Sequence, residues 1–167
     1  MPSVEPDVAV NELAPSDEAT AERLLDAERG GREQARLGEV RDVLALPGFC
    51  AWLGDRIVGV ATYSLEAGRA ELAAIAVASD HRFLGIGSTL IEAVASAVTA
   101  NGGRELWLVT TNDNVDALRL YQRRGFHLAH LHPGAIERAR ALKPTIPRSG
   151  PYGIPKRDEL ILARPLP

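Results

Sequence analysis

The feature that most constrains this chain is a short glycine loop set between two apolar segments of different period. Ala70 to Val77 reads as a strand, Arg82-Phe83-Leu84-Gly85-Ile86-Gly87 follows, and Leu90, Ile91, Val94 and Val98 then form the stripe of a helix. Strand, Arg-x-x-Gly-x-Gly and helix together gather several backbone N–H groups and a helix N-terminus around one concave spot, which attracts phosphate oxygens. At Gly85 and Gly87 a side chain would block close approach by a diphosphate or resist a positive φ. Two other phosphate loops fail on inspection. Gly87 is followed by Ser88-Thr89 with no lysine, which excludes the mononucleotide P-loop, and Leu90 stands where the dinucleotide fingerprint needs its third glycine.

Alternating elements surround this unit. Val8 to Leu13 reads as a strand, and Ala14-Pro15-Ser16-Asp17 opens a helix, with Ser16 or Asp17 as N-cap, that Gly30-Gly31 ends. A second helix is expected from about Glu33 to Leu46, with Leu37, Val40 and Leu44 on one face and Pro47-Gly48 as its stop. Gly54-Asp55 and Ala67-Gly68 are turn pairs that fold the next three apolar runs into an antiparallel meander. In the third run, Glu71, Ala73, Ile75 and Val77 are expected on one face and Leu72, Ala74 and Ala76 on the other, both largely apolar, as in a central strand. After the glycine loop and its helix, Asn101-Gly102-Gly103 is a stop and Leu106 to Val109 a buried strand. Asn114 is an N-cap for a helix from Val115 to Arg124, and Phe126 to Ala129 is extended. A basic helix, Ile136 to Leu142, a loop rich in proline and glycine from Lys143 to Lys156 and a last strand from Glu159 to Ala163 complete the chain. So long a loop is more often functional than idle, and a substrate-facing role is expected of it.

Composition bounds the function classes. At 167 residues and 46% hydrophobic the chain suits one domain, 1–167. Cys50, the sole cysteine, excludes an internal disulfide and a paired-thiol zinc site, and fits a reducing compartment. The first ten residues carry Glu5 and Asp7 where a secretory leader would be basic and then apolar, and no apolar run reaches the ~18 residues of a membrane span. A soluble, cytoplasmic protein without membrane partners is expected. A net charge of −3 gives no argument for nucleic acid, yet it is unevenly spread. Residues 1–80 hold 7 basic against 15 acidic side chains, and residues 81–167 hold 12 against 7. A polyanionic small ligand would prefer the second half, although a solvated surface explains the imbalance as well.

The segment from Ala70 to Phe126 resembles the cofactor-binding core of the GNAT superfamily of N-acetyltransferases. The resemblance rests on Glu71-Leu72-Ala73-Ala74-Ile75-Ala76-Val77, the loop Arg82 to Gly87, Asn114, and Ala117-Leu118-Arg119-Leu120-Tyr121-Gln122-Arg123-Arg124-Gly125-Phe126. It implies an α/β (α+β) fold: a mixed, mostly antiparallel central sheet with a splayed parallel strand pair, flanked by helices. It implies acetyl-CoA as co-substrate, with Ile75, Ala76, Val77, Arg82, Phe83, Leu84, Gly85, Ile86, Gly87, Ser88, Asn114 and Tyr121 as its binding residues. It also implies acetyl transfer to a primary amine of a small molecule or peptide, by direct attack in a ternary complex. Many members pair through sheet edges or C-terminal strands, which leaves a homodimer open.

Acetyl transfer needs a neutral amine, a polarised thioester carbonyl and help for the departing thiolate. An amine with a pKa of ~10.4 must lose a proton before attack. Glu71 matches the position of a base glutamate in some members; the alternative is an exposed strand residue facing Arg69 or Arg56. Tyr121 matches a helix tyrosine that donates its phenolic proton to the CoA sulfur; the alternative is a core aromatic packing with Leu118. The backbone around Val77 is the expected oxyanion donor. Asn114 serves as a contact to CoA or substrate, or only as a cap. Of His81, His127, His130 and His132, the last two are two apart with a proline next and no acidic or cysteine partners clustered beside them; surface or loop positions are expected for all four, no metal is expected, and His132 is the one to examine for substrate contact. The competing class is an acyl-CoA-binding regulatory module without catalysis. A nucleotide hydrolase is disfavoured by the missing P-loop lysine. The segment Pro144 to Lys156, with Arg148, Tyr152 and Lys156, and Arg157 next to it, suits an acidic acceptor or is a solvated basic loop.

Overall fold

A computed structural model describes residues 7–167. Seven strands form one sheet in the order β1 (Val8–Glu12), β4 (Gly48–Leu53), β5 (Arg56–Glu66), β6 (Arg69–Val77), β7 (Glu105–Thr111), β9 (Glu159–Pro165) and β8 (His127–His132). Every neighbouring pair is antiparallel except β6 and β7. The expected turns at Gly54-Asp55 and Ala67-Gly68 connect β4, β5 and β6, and Gly54, Ala67 and Gly68 all have positive φ. β6 is central, as its two apolar faces require. The last strand enters between β7 and β8, where it covers the otherwise open edge of β7 along its whole length.

Helices cover both faces. On one, α2 (Ile86–Ala100) and α3 (Val115–Arg123) bring Leu90, Ile91, Val94, Val98, Ala117 and Tyr121 against Val58, Leu72, Ile75, Leu106, Leu108 and Leu162. On the other, α1 (Glu18–Arg29) lays Ala21 and Leu25 against Cys50, Ile57, Val60 and Ala76. A short helix α4 (Ala135–Leu142) precedes the proline-rich loop. Among the described residues, no helix is long and apolar enough to cross a membrane.

The structure corrects three local expectations. The segment Glu33 to Leu46 is not a helix. It is a two-stranded hairpin, β2 (Glu33–Arg36) and β3 (Glu39–Asp42), followed by a 3-10 turn, Val43–Ala45. The reason lies at Leu37 and Gly38, both at positive φ (50° and 78°), which is the backbone of a tight hairpin turn and interrupts any helix. Leu37 and Val40 are exposed, and only Leu44 of the supposed apolar face enters the core.

The second correction concerns β6. Thr62 pairs with Ala74 but Tyr63 with Leu72, so Ala73 is an extra residue, a β-bulge. The bulge shifts the alternation by one. Leu72, Ile75 and Val77 pack on the α2 side while Ala73, Ala74 and Ala76 join the α1 side, so Glu71 and Val77 do not share a face. Third, neither expected cap is made by a side chain. Asp17 occupies the N-cap of α1 but its carboxylate accepts from Ala14 N–H, and Asn114 at the N-cap of α3 donates from Nδ2 to Thr110 Oγ1 at 3.4 Å.

Candidate active site

β6 and β7 stay in register only for Arg69–Glu105, Ala70–Leu106 and Glu71–Trp107, and beyond these pairs the strands separate. The opening is a cleft of about 330 Å³ lined by Leu72 to Ile75 on one wall and Leu108 to Thr111 on the other, with Tyr121 and Asn114 of the α3 region and Arg29 of α1 around it. Its depth follows from the register: a strand pair that diverges leaves backbone groups unpaired along two edges. Ala78 N–H bonds Val58 O, so alternation turns the N–H and C=O of Val77 and Ile75 toward the opened edge. Ile75 O is taken by Arg29 Nε at 3.0 Å.

The glycine loop sits at the end of β6. Gly85 is left-handed (φ 83°) and opens α2, and a Cβ built on it would meet nothing within 4 Å. The first N–H groups of α2, from Ile86 to Ser88, have no partner within the helix and carry its positive dipole end. Gly87 faces α3, where a Cβ would come within 3.1 Å of Leu120 Cδ2. Phe83, also at positive φ, and Leu84 are exposed. Such an open cradle of amides fits a diphosphate. Two guanidinium groups frame it: Arg82 is paired with Glu28 of α1, and Arg124 Nε donates to Ser88 Oγ at 2.9 Å. Of the loop's expected ligands, Arg82 is therefore already committed to a carboxylate. Arg124 was not singled out from the sequence.

Tyr121 lines the cleft and is 5% exposed, packed edge-on against Phe126 with ring centroids 5.8 Å apart. Burial pushes its phenol pKa up, against a smaller lowering by Arg29, so the hydroxyl keeps its proton at neutral pH. The ring thus packs in the core while it lines the cleft.

Glu71 lies elsewhere. It is 3% exposed, and its carboxylate accepts from Arg36 Nε at 3.0 Å, from a second nitrogen of Arg36, and from Arg41 at 2.9 Å. Both arginines belong to the β2–β3 hairpin, so the expectation of an exposed residue facing Arg69 or Arg56 is overturned; those two bind Glu105 and Asp80. Glu71 does not line the cleft that holds Tyr121; it borders a second depression with Arg36, Arg41 and Trp107. His132 also lies outside the cleft, at the end of β8 opposite Glu159.

The proline-rich loop is tied down over the cleft. Asn112, after β7, donates to Pro155 O and accepts from the N–H groups of Arg157 and Asp158; Arg140 binds the carbonyls of Ile146, Pro147 and Lys156; Lys143 Nζ reaches Gly30 O. Pro147 and Lys156 thereby join the lining.

Comparison with known proteins agrees with this arrangement. The Acetyltransferase (GNAT) family model matches residues 16–126. The uncharacterized protein YxbD of Bacillus subtilis (strain 168) is 38% identical over 112 residues, covering 67% of this chain and 69% of that protein. The structure of the IAA acetyltransferase from Bacillus cereus ATCC 14579 superposes with a TM-score of 0.79 at 23% identity, over 96% of this chain and all of that one. A GNAT family acetyltransferase from Elizabethkingia anophelis, crystallised with acetyl-CoA bound, gives a TM-score of 0.69 at 19% identity, over 96% and 99% of the two chains. With a family match spanning most of its length and the splayed β6–β7 pair in place, the chain belongs to the GNAT acetyltransferase family.

Proposed function

We propose that the protein is an acetyl-CoA-dependent N-acetyltransferase acting on a primary amine by direct attack in a ternary complex. The observation that carries the reading is the presence of three parts in one fold: the amide cradle at Gly85 to Ser88 after β6, the open edge of β6, and a protonated Tyr121 lining the cleft at that edge. In this reading the diphosphate of acetyl-CoA rests on the N-terminus of α2 and the pantetheine arm follows Ala73 to Val77. The thioester supplies the acetyl group. Val77 N–H polarises its carbonyl, and Tyr121 gives its proton to the sulfur as the tetrahedral intermediate collapses. The cofactor's anionic end faces the basic half of the chain, with Arg124 alongside.

The amine's proton leaves through water in this scheme. Glu71 is the alternative base, but three hydrogen bonds from two guanidinium groups occupy its carboxylate, and its place beneath the hairpin favours an anchoring role. A pH profile of Glu71→Gln separates the two. Anchoring predicts a lower melting temperature with the acid limb of kcat/KM retained; loss of that limb at unchanged stability assigns the base to Glu71. The test of activity itself is thiol release from acetyl-CoA with a panel of primary amines. Turnover with at least one amine supports the enzyme, whereas tight acetyl-CoA binding with no turnover on any of them supports a regulatory acyl-CoA-binding module.

A further inference from the structure

We propose that Lys156 is the recognition residue for an anionic group on the acceptor, so that the substrate is an amine that also carries a carboxylate or phosphoryl group. The inference rests on the acetyltransferase reading above. Three observations carry it.

First, the charge of the cleft is unbalanced. Its titratable lining, Tyr121 aside, is Glu28, Arg29 and Lys156, and Glu28 is already matched by Arg82 outside. Arg29 donates through Nε to the neutral Ile75 O at 3.0 Å, so among the described residues its charge is unmatched by a carboxylate. Lys156 is different. Its ammonium has one charged neighbour, Asp113 Oδ2, at 3.7 Å, which is longer than a hydrogen bond. Among the described residues it is thus the cleft's cation with no hydrogen bond of ordinary length, although its side chain is only 22% exposed.

Second, the backbone that carries the ammonium is held in place. Lys156 N–H donates to Arg148 O and Lys156 O accepts from Arg140, while Asn112 grips Pro155 and Arg157 on either side. A lysine on a fixed backbone loses less freedom when it binds than one on a loose loop.

Third, Asp113 behind it is 1% exposed, and its Oδ1 has no hydrogen-bond partner. A buried carboxylate at that distance retains the ammonium electrostatically without saturating its three donors. Those donors need acceptor oxygens, and an anionic oxygen entering with the substrate meets the need. The pantetheine arm of acetyl-CoA is uncharged, so the anion belongs to the acceptor.

The test uses matched amines that differ in one group: amino acids with their amides, and phosphoethanolamine with ethanolamine. Each is assayed for thiol release and, separately, titrated calorimetrically into the CoA-loaded protein. The wild-type protein is expected to prefer the anionic member of at least one pair by about tenfold or more in kcat/KM, carried mainly by KM. Which pair responds distinguishes carboxylate from phosphoryl recognition. Lys156→Met should erase the preference and Lys156→Arg should keep most of it. Because Lys156→Met leaves Asp113 buried and unpaired, the double variant Lys156→Met with Asp113→Asn serves as the fold-preserving form, checked by its melting curve. Acetyl-CoA affinity should be the same in all of them. Selective binding of anionic amines that Lys156→Met abolishes, without turnover on any amine, upholds the site and counts only against the enzyme. Equal binding of charged and neutral partners, a preference that survives loss of Lys156, or weakened acetyl-CoA binding in the Lys156 variants overturns it.

Discussion

At Tyr121 one ring packs the core against Phe126, and burial raises its phenol pKa, so it keeps the proton that the departing thiolate takes in the proposed mechanism. Tyr121→Phe keeps the packing and removes the donor. It should lower kcat by about ten- to a hundredfold, with KM for acetyl-CoA little changed, because a thiolate is already a fair leaving group. Equal turnover in steady-state kinetics would remove Tyr121 from the chemistry. Cys50 presents the opposite case. Burial pushes its thiol up to about 12, so it is neither nucleophile nor reactive reporter, and the native protein should show no rapid reaction with a disulfide reagent until it is unfolded. Glu71 and Tyr121 are both candidates through the resemblance to the GNAT family, whose motif positions they match. What spacing could not show was the partner: Arg36 and Arg41 stand 35 and 30 residues before Glu71, on a hairpin read as a helix, so their convergence on one carboxylate was hidden.

At the scale of elements, most boundaries followed from local chemistry. Gly54-Asp55 and Ala67-Gly68 make turns, Asn101-Gly102-Gly103 ends α2, and the period of Leu90, Ile91, Val94 and Val98 is helical because those side chains fill one core face. The missed hairpin and the missed bulge share a cause. Each depends on one or two residues of backbone conformation, positive φ at Leu37 and Gly38 or the extra residue at Ala73, and such local events leave no periodic signature. The loop before β9 is a third element whose order was invisible, since its ties come from Asn112, Arg140 and Lys143 in distant or main-chain-directed contacts. Asn112 alone makes three of them. Asn112→Ala should therefore loosen the loop, costing about 1–2 kcal/mol of stability by denaturant titration. It should also raise KM for the amine several-fold while acetyl-CoA affinity stays near wild type. Unchanged acceptor kinetics would separate the loop from the acceptor side of the cleft.

The whole molecule is a sheet that is continuous on one side and opened on the other. Strands β1, β4, β5 and β6 form an antiparallel half, β7, β9 and β8 a second, and three residue pairs join them before they part. The mixed sheet, its splayed parallel pair and the helices on both faces agree with the fold that the resemblance implied. The insertion of β9 between β7 and β8 did not follow from any local pattern, because strand order is decided by which apolar edge remains uncovered. Ion pairs brace the edge of this assembly: Arg32 holds the Asp42 carboxyl, and Arg164 the Glu92 carboxyl, below the ordinary carboxylate range. A depressed folded-state pKa stabilises above the unfolded value and is lost as pH falls through the folded one. Stability should thus decline in the acid range as these carboxylates protonate, and Arg32→Ala should move the onset of acid unfolding to higher pH; an unshifted acid transition in circular dichroism would contradict the pairing. The central claim is that the amides opening α2 hold the cofactor's diphosphate and the β6–β7 opening holds its arm. A crystal structure with coenzyme A bound tests it directly. Diphosphate oxygens are expected within hydrogen-bond distance of the N–H groups between Gly85 and Ser88, with the thiol between Val77 and Tyr121; a diphosphate bound anywhere else on the molecule would contradict this assignment.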